Sequence, residues 1–220
     1  MPPDDKRCGQ GKEMPSIKEV HDNKHLSVGA RGELLTQLRR GTSAQHRQLE
    51  SLPRLRRLFA EDYRISEYIA LLQALYSVFR PLEANLLNSV PAVAGDLGYR
   101  SRFSDLESDL VDLAGDLPVV GGIVPRVPLH SVSAQVGCLY VLEGSRLGGR
   151  LIARQLAGMP GLSPDRGMRF FAGSPGANLP DWDQFCRRAE SLCDSSPARK
   201  AAVAAAAATF TLFHEQLSYE

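Results

Sequence analysis

The sequence predicts an all-α fold: one multihelical domain of six to seven main helices over residues 31–220, behind a disordered tail at 1–30. Three observations carry this. Beyond about residue 32, apolar residues recur at steps of three and four, the period of a helix with one buried face. No segment alternates apolar and polar residues as a half-buried strand would. Proline and glycine gather between the periodic segments rather than within them, one helix excepted. An apolar content of 43% with 23% charged residues suits a packed domain, and 220 residues suffice for one core.

The elements follow in order. Residues 1–30 are rich in Lys, Asp, Gly, Pro and His and show no sustained period, so they read as a tail. His21 and His25 there read as solvated side chains, and Cys8 as a tail thiol. From about residue 32, Leu35, Leu38, Thr42, His46 and Leu49 share a helix face, and Pro53 ends that helix. Ser66 is placed to cap a second helix with the stripe Ile69, Leu72, Leu75, Tyr76 and Phe79, which Pro81 would kink before Leu86. A short amphipathic helix is expected at 104–113 and a breaker-rich connection at 115–128. Residues 130–156 form a glycine-bearing helix, and 159–180 form a loop anchored by Phe170 and Phe171. Asp181 caps a helix through Leu192, and Pro197 suits the first turn of a last, alanine-rich helix to about Leu217.

A formal net charge of +1 gives no field that would gather nucleic acid or an acidic membrane surface. The longest apolar stretch, the alanine run, is too short and too weakly apolar to cross a bilayer, and no secretory signal is visible. Cys8, Cys138, Cys186 and Cys193 form no Cys-x-x-Cys pair or zinc spacing, which fits reduced thiols in a cytoplasmic protein.

Two features point to chemistry. The 130–156 helix carries Gly144, Gly148 and Gly149, each costing about 1 kcal/mol against alanine. Gly144 and Gly148 are four apart and make a strip without side chains, where a flat group can approach the backbone. The other reading of such a strip is close helix packing, or a kink at Gly148-Gly149. On the first helix, His46 lies on the apolar face, either as a satisfied core residue or as an imidazole ligand suited to haem iron. Glu50, four residues on, can stand beside the imidazole and fix its tautomer, or pair with a nearby arginine at the surface.

Taken together, the segments Leu38-Arg-Arg-Gly-Thr-Ser-Ala-Gln-His46-Arg-Gln-Leu-Glu50 and Tyr140-Val-Leu-Glu-Gly-Ser-Arg-Leu-Gly-Gly149 resemble the proximal and distal helices of the haem (heme) oxygenase family. The likeness covers roughly residues 32–217 and is closest to the bacterial type, in particular the bacteriophytochrome-associated branch.

The resemblance implies haem b as both substrate and cofactor, with His46 as the iron ligand. Gly144 and Gly148 would line the distal face with Ser145 close by, where mammalian-type members carry an aspartate. Arg39, seven residues before His46, matches the family's basic position for a haem propionate. Tyr140 and Arg187 are further candidates by position, and Arg150 a weaker one. The implied reaction uses O2 and external electrons to give biliverdin, of the α isomer in the similar branch, with ferrous iron and carbon monoxide. A ferredoxin, a flavodoxin or an NADPH-dependent reductase would supply the electrons to a monomer. A bacteriophytochrome would accept the biliverdin. Three rivals stay open: a haem carrier without turnover, a thiamin-degrading enzyme with Cys138 as nucleophile, and a helical module whose glycines only pack.

Overall fold

The computed structural model describes residues 32–89, 91–119, 126–173 and 182–219. The expected tail with Cys8, His21 and His25, and the expected cap Asp181, lie outside them. Among the described residues the chain forms nine helices and no strand, in the order α1 Glu33–Glu50, α2 Pro53–Arg57, α3 Ile65–Ser89, α4 Pro91–Asp96, α5 Phe103–Ala114, α6 Val132–Leu156, α7 Arg169–Ala172, α8 Trp182–Leu192 and α9 Ser196–Ser218. The six with eleven or more residues are the main helices the periodicity predicts.

The differences are local. Pro53 does more than end α1; it occupies the first turn of α2, where its missing N–H is no loss. Ser66 is not the cap of α3, which already begins at Ile65. Glu67 takes that role, its carboxylate accepting the Arg64 N–H at 3.0 Å while also gripping the Arg57 guanidinium. The α3 helix runs through Pro81 without a break. Ser131 and Ser195 cap α6 and α9 through the Ala134 and Ala198 N–H groups. The start of α1 has no side-chain cap of its own. Instead Glu190 of α8 accepts the Leu34 N–H at 3.1 Å, and a side chain at Gly32 would collide with that carboxylate.

The C-terminal helix α9 is the floor of the molecule. The helices α1, α3 and α6 all pack on it. Ala202, Ala205 and Ala206 are fully buried there, so the alanine run is a close-packing face as well as a good helix former. At Gly137 of α6 the approach is closest. A Cβ there would stand 1.9 Å from the Ala202 carbonyl oxygen. Phe79 of α3 is clasped edge-on by Phe170 of α7 and Phe213 of α9, with centroids 5.0 and 5.5 Å away.

The Phe170–Phe171 anchor is itself a short helix, held by Asp109 of α5. This fully buried carboxylate accepts the Phe170 and Arg169 N–H groups at 2.8 and 3.0 Å and the Arg169 guanidinium at 3.3 Å. Burial raises its carboxyl above the usual range, and those donors oppose the rise. Asp109→Ala leaves two backbone donors without an acceptor, each costing about 1–3 kcal/mol. Thermal unfolding should show a drop of roughly 5–15 °C, whereas a drop under about 2 °C would show that the carboxylate does not anchor α7.

Candidate active site

Helices α1 and α6 both pack on α9. On α1, Gly41 meets Val203 and His46 meets Phe210; on α6, Gly137 meets Ala202 and Cys138 meets Thr209. The two are bridged, since the Tyr140 hydroxyl reaches Arg39 and Thr42. One turn further on, α1 presents His46 and α6 presents Gly144, followed by Gly148. The two helices share the α9 floor rather than pack along each other.

His46 stands where the burial of α1 runs out. Leu38 and Thr42 are buried, whereas the His46 side chain is 32% exposed. Its ring sits edge-on to Phe210, 5.5 Å between centroids. Its Nδ1 lies 3.3 Å from Glu50 Oε2, the pairing expected from the i, i+4 spacing. A proton held on Nδ1 by that carboxylate puts the ring's lone pair on Nε2 and makes the imidazole a better donor.

The glycines divide into two kinds. Gly149 is buried against Phe171, which a Cβ at that position would meet at 3.3 Å, and it serves packing. A Cβ at Gly148 would meet nothing within 4 Å, and its backbone does not take a positive φ. Nothing in the described fold requires glycine there, although it costs about 1 kcal/mol of helix stability. Gly144 is not wholly bare, contrary to the strip expected. Trp182 of α8 would lie 3.7 Å from a Cβ there; it stacks on Phe185 and tilts over Tyr140. A large aromatic at the start of α8 fills space that helix periodicity cannot show.

Of the expected cationic residues, Arg39 is the one drawn toward Tyr140. Arg39 and Arg187 both stand close enough to Cys186 to act on its thiol, which burial pushes up to about 12 against their pull. Burial likewise raises Tyr140, with Arg39 opposing. Arg39 thus stands beside Tyr140 and Cys186, with Arg187 the next residue along the chain from Cys186. Arg150 is exposed on the other face of α6. Ser145 is turned to neighbours of its own. Its hydroxyl donates to the Leu142 carbonyl at 2.7 Å and accepts from Arg102 at 2.5 Å.

Arg102 is the residue sequence reasoning missed. Only 2% exposed, it lies over the rings of Phe79 and Phe170, and a lone arginine outside a helix carries no signal of burial. Cys138 is excluded as a nucleophile. It is fully buried and its thiol is pushed up to about 12 by desolvation, with a Thr209 hydrogen bond opposing.

Among the described residues, no three His, Cys, Asp or Glu side chains are placed to hold a metal ion together. A single imidazole would need a macrocycle to complete the coordination of iron. An imidazole with its carboxylate, a helix stretch with no side chain at 148, and cations beside a phenol suit a flat dianionic ring. Neither of two cavities elsewhere, one behind α6 and one between Gly41 and Val203, includes His46 or these glycines.

Residues 32–218 match the heme oxygenase family, and the chain belongs to that family. It is 37% identical over 132 residues to a heme oxygenase of Xanthomonas campestris, covering 60% of this chain and 76% of that protein. It is 27% identical over 144 residues to the heme oxygenase PigA of Pseudomonas aeruginosa, covering 66% and 71%. The fold is similar to that of the heme oxygenase from Leptospira interrogans, with a TM-score of 0.62 at 22% identity over 84% of this chain and 98% of that one. It is also similar to the heme-bound enzyme of the cyanobacterium Synechocystis, with a TM-score of 0.64 at 16% identity over 84% and 90%. The protein is thus a bacterial-type enzyme that degrades haem to biliverdin. No helix among the described residues is long and apolar enough to cross a membrane.

Proposed function

We propose that haem b is bound in the gap between α1 and α6, with His46 as its iron ligand, and is opened there by O2 and external electrons to biliverdin, ferrous iron and carbon monoxide. The observation that carries this placement is Gly148, a helix glycine that, among the described residues, no contact explains. Bound haem supplies the iron that activates O2 and the ring that is opened. The protein's own part is orientation and electrostatics.

His46 offers a neutral lone pair, and Glu50 holds its Nδ1 proton so that the donor strength stays constant through turnover. Gly148 and Gly144 let peptide groups of α6 come close to the ring face, and the absence of side chains leaves room for ordered water as the proton source. Ser145 acts at second hand, its hydroxyl held by Arg102 and so fixing the turn between the two glycines. Arg39, Arg187 and the Tyr140 hydroxyl hold the propionates and set which edge of the ring meets the glycines.

A ferredoxin, a flavodoxin or an NADPH-dependent reductase supplies the electrons, and the enzyme works as a cytoplasmic monomer. The form Leu142-Glu-Gly-Ser-Arg-Leu-Gly-Gly149 supports a bacteriophytochrome as the acceptor of biliverdin and the α isomer as product. The test is haem reconstitution followed by aerobic turnover with reductant and isomer analysis. Biliverdin absorption is expected to grow as the haem band falls. A haem band that persists under reductant and O2 would instead identify a carrier.

Gly148→Ala and Gly148→Val separate function from fold. The alanine variant should unfold about 2–4 °C higher, since it gains roughly 1 kcal/mol of helix propensity in open space. The valine variant should fold normally and lose or divert ring opening. Unchanged product and rate in the valine variant would remove Gly148 from the distal face.

A further inference from the structure

We propose that Arg102, Arg146 and Arg150 form a binding site for one small monovalent anion, of the size of chloride, behind α6. The three arginines line a small cavity with Phe170, Phe171 and Gly173. It has about 10 Å³ of room for a water-sized centre, which is space for one such particle and too little for sulfate or phosphate.

The charge there is under-compensated. Arg102 is 2% exposed, and its Nη2 is used on the Leu142 carbonyl and the Ser145 hydroxyl. Its Nε is buried with no hydrogen-bond partner among the described residues, which is costly for a charged donor. Two buried carboxylates, one fewer than the three cations, face the cluster. Glu143 pairs with Arg146 Nε at 3.1 Å. Glu83 accepts the Tyr99 and Ser101 hydroxyls and, at 3.4 Å, the Arg102 N–H. Arg146 also donates to the Arg100 carbonyl. Burial and the neighbouring Arg146 push Arg102 down to about 10, a penalty that a bound anion would relieve.

The cavity is distinct from the haem gap. Arg146 and Arg150 follow Gly144 and Gly148 by two residues, roughly half a turn of helix, so they lie on the opposite face. A propionate held at the Arg39 end has α6 in its way. An anion here would instead tie the loop before α5, the middle of α6 and the end of α7 together. It would brace the glycine stretch from behind.

The test needs no haem. Thermal unfolding of the full-length apoprotein is followed at fixed pH and ionic strength while chloride replaces gluconate. The melting temperature is expected to rise with saturation, by roughly 5–10 °C at a hundredfold excess over the dissociation constant. Arg150→Gln, at an exposed position, should move the saturation point at least tenfold higher in chloride. Crystals soaked in sodium bromide should show an anomalous peak beside Arg102 Nε. Superimposable chloride and gluconate curves, or an Arg150→Gln response identical to that of the parent, would mean that the cavity holds only water.

Discussion

The His46→Ala variant is expected to take up haem without the spectrum of a histidine-ligated iron and to lose turnover by more than about 100-fold. Replacing a carboxylate partner of a metal-bound histidine typically costs roughly 10–100-fold, and removing the ligand itself costs more. The imidazole is 32% exposed and meets Phe210 edge-on, so the variant should fold. Exogenous imidazole should restore part of the spectrum and of the rate, because it refills the space the side chain leaves. Glu50→Gln, which keeps the shape but weakens the hold on Nδ1, should fall between the two. Full turnover of His46→Ala without added imidazole would show that another group holds the iron. Failure to bind haem in the parent protein would overturn the placement altogether.

The largest effect on stability is expected at Gly137, a position with no part in the chemistry. A Cβ there would lie 1.9 Å from the Ala202 carbonyl oxygen and 2.8 Å from its carbon, both of them backbone. Backbone atoms cannot rotate aside, so α6 and α9 must separate. Gly137→Ala should therefore cost about 3 kcal/mol or more, the top of the overpacking range, and lower the melting temperature by roughly 6–12 °C. Gly144→Ala is the control. Its Cβ would meet Trp182 at an ordinary 3.7 Å, and the variant should melt no lower than the parent. If Gly137→Ala also melts with the parent, the close crossing of α6 and α9 does not exist in solution.

The contrast between these glycines shows where the sequence was legible. Three helix glycines stood out because each violates propensity, and a shared bare face follows from the four-residue spacing of 144 and 148. Spacing cannot say what lies opposite. Gly149 packs on Phe171, Gly144 meets Trp182 and only Gly148 faces open space, and these differences depend on helices far off in the chain. Gly137 was overlooked although it lies in the same helix, because its reason is a carbonyl of α9. Arg102 had no signal at all. An arginine outside a helix reads as surface until two phenylalanines from α3 and α7 close over it.

Local sequence thus determined the helices, the His46–Glu50 pair and the likeness to one family, since period, caps and i, i+4 spacing act within a few residues of chain. Tertiary structure decided which faces are filled and which are open. It turned Ser145 toward Arg102, set Trp182 against Gly144, and brought Arg39 to Tyr140 and Cys186. Those outcomes depend on the angle and distance at which α1, α6 and α8 meet. These are settled by core packing summed over the whole domain, not by any single stretch of residues.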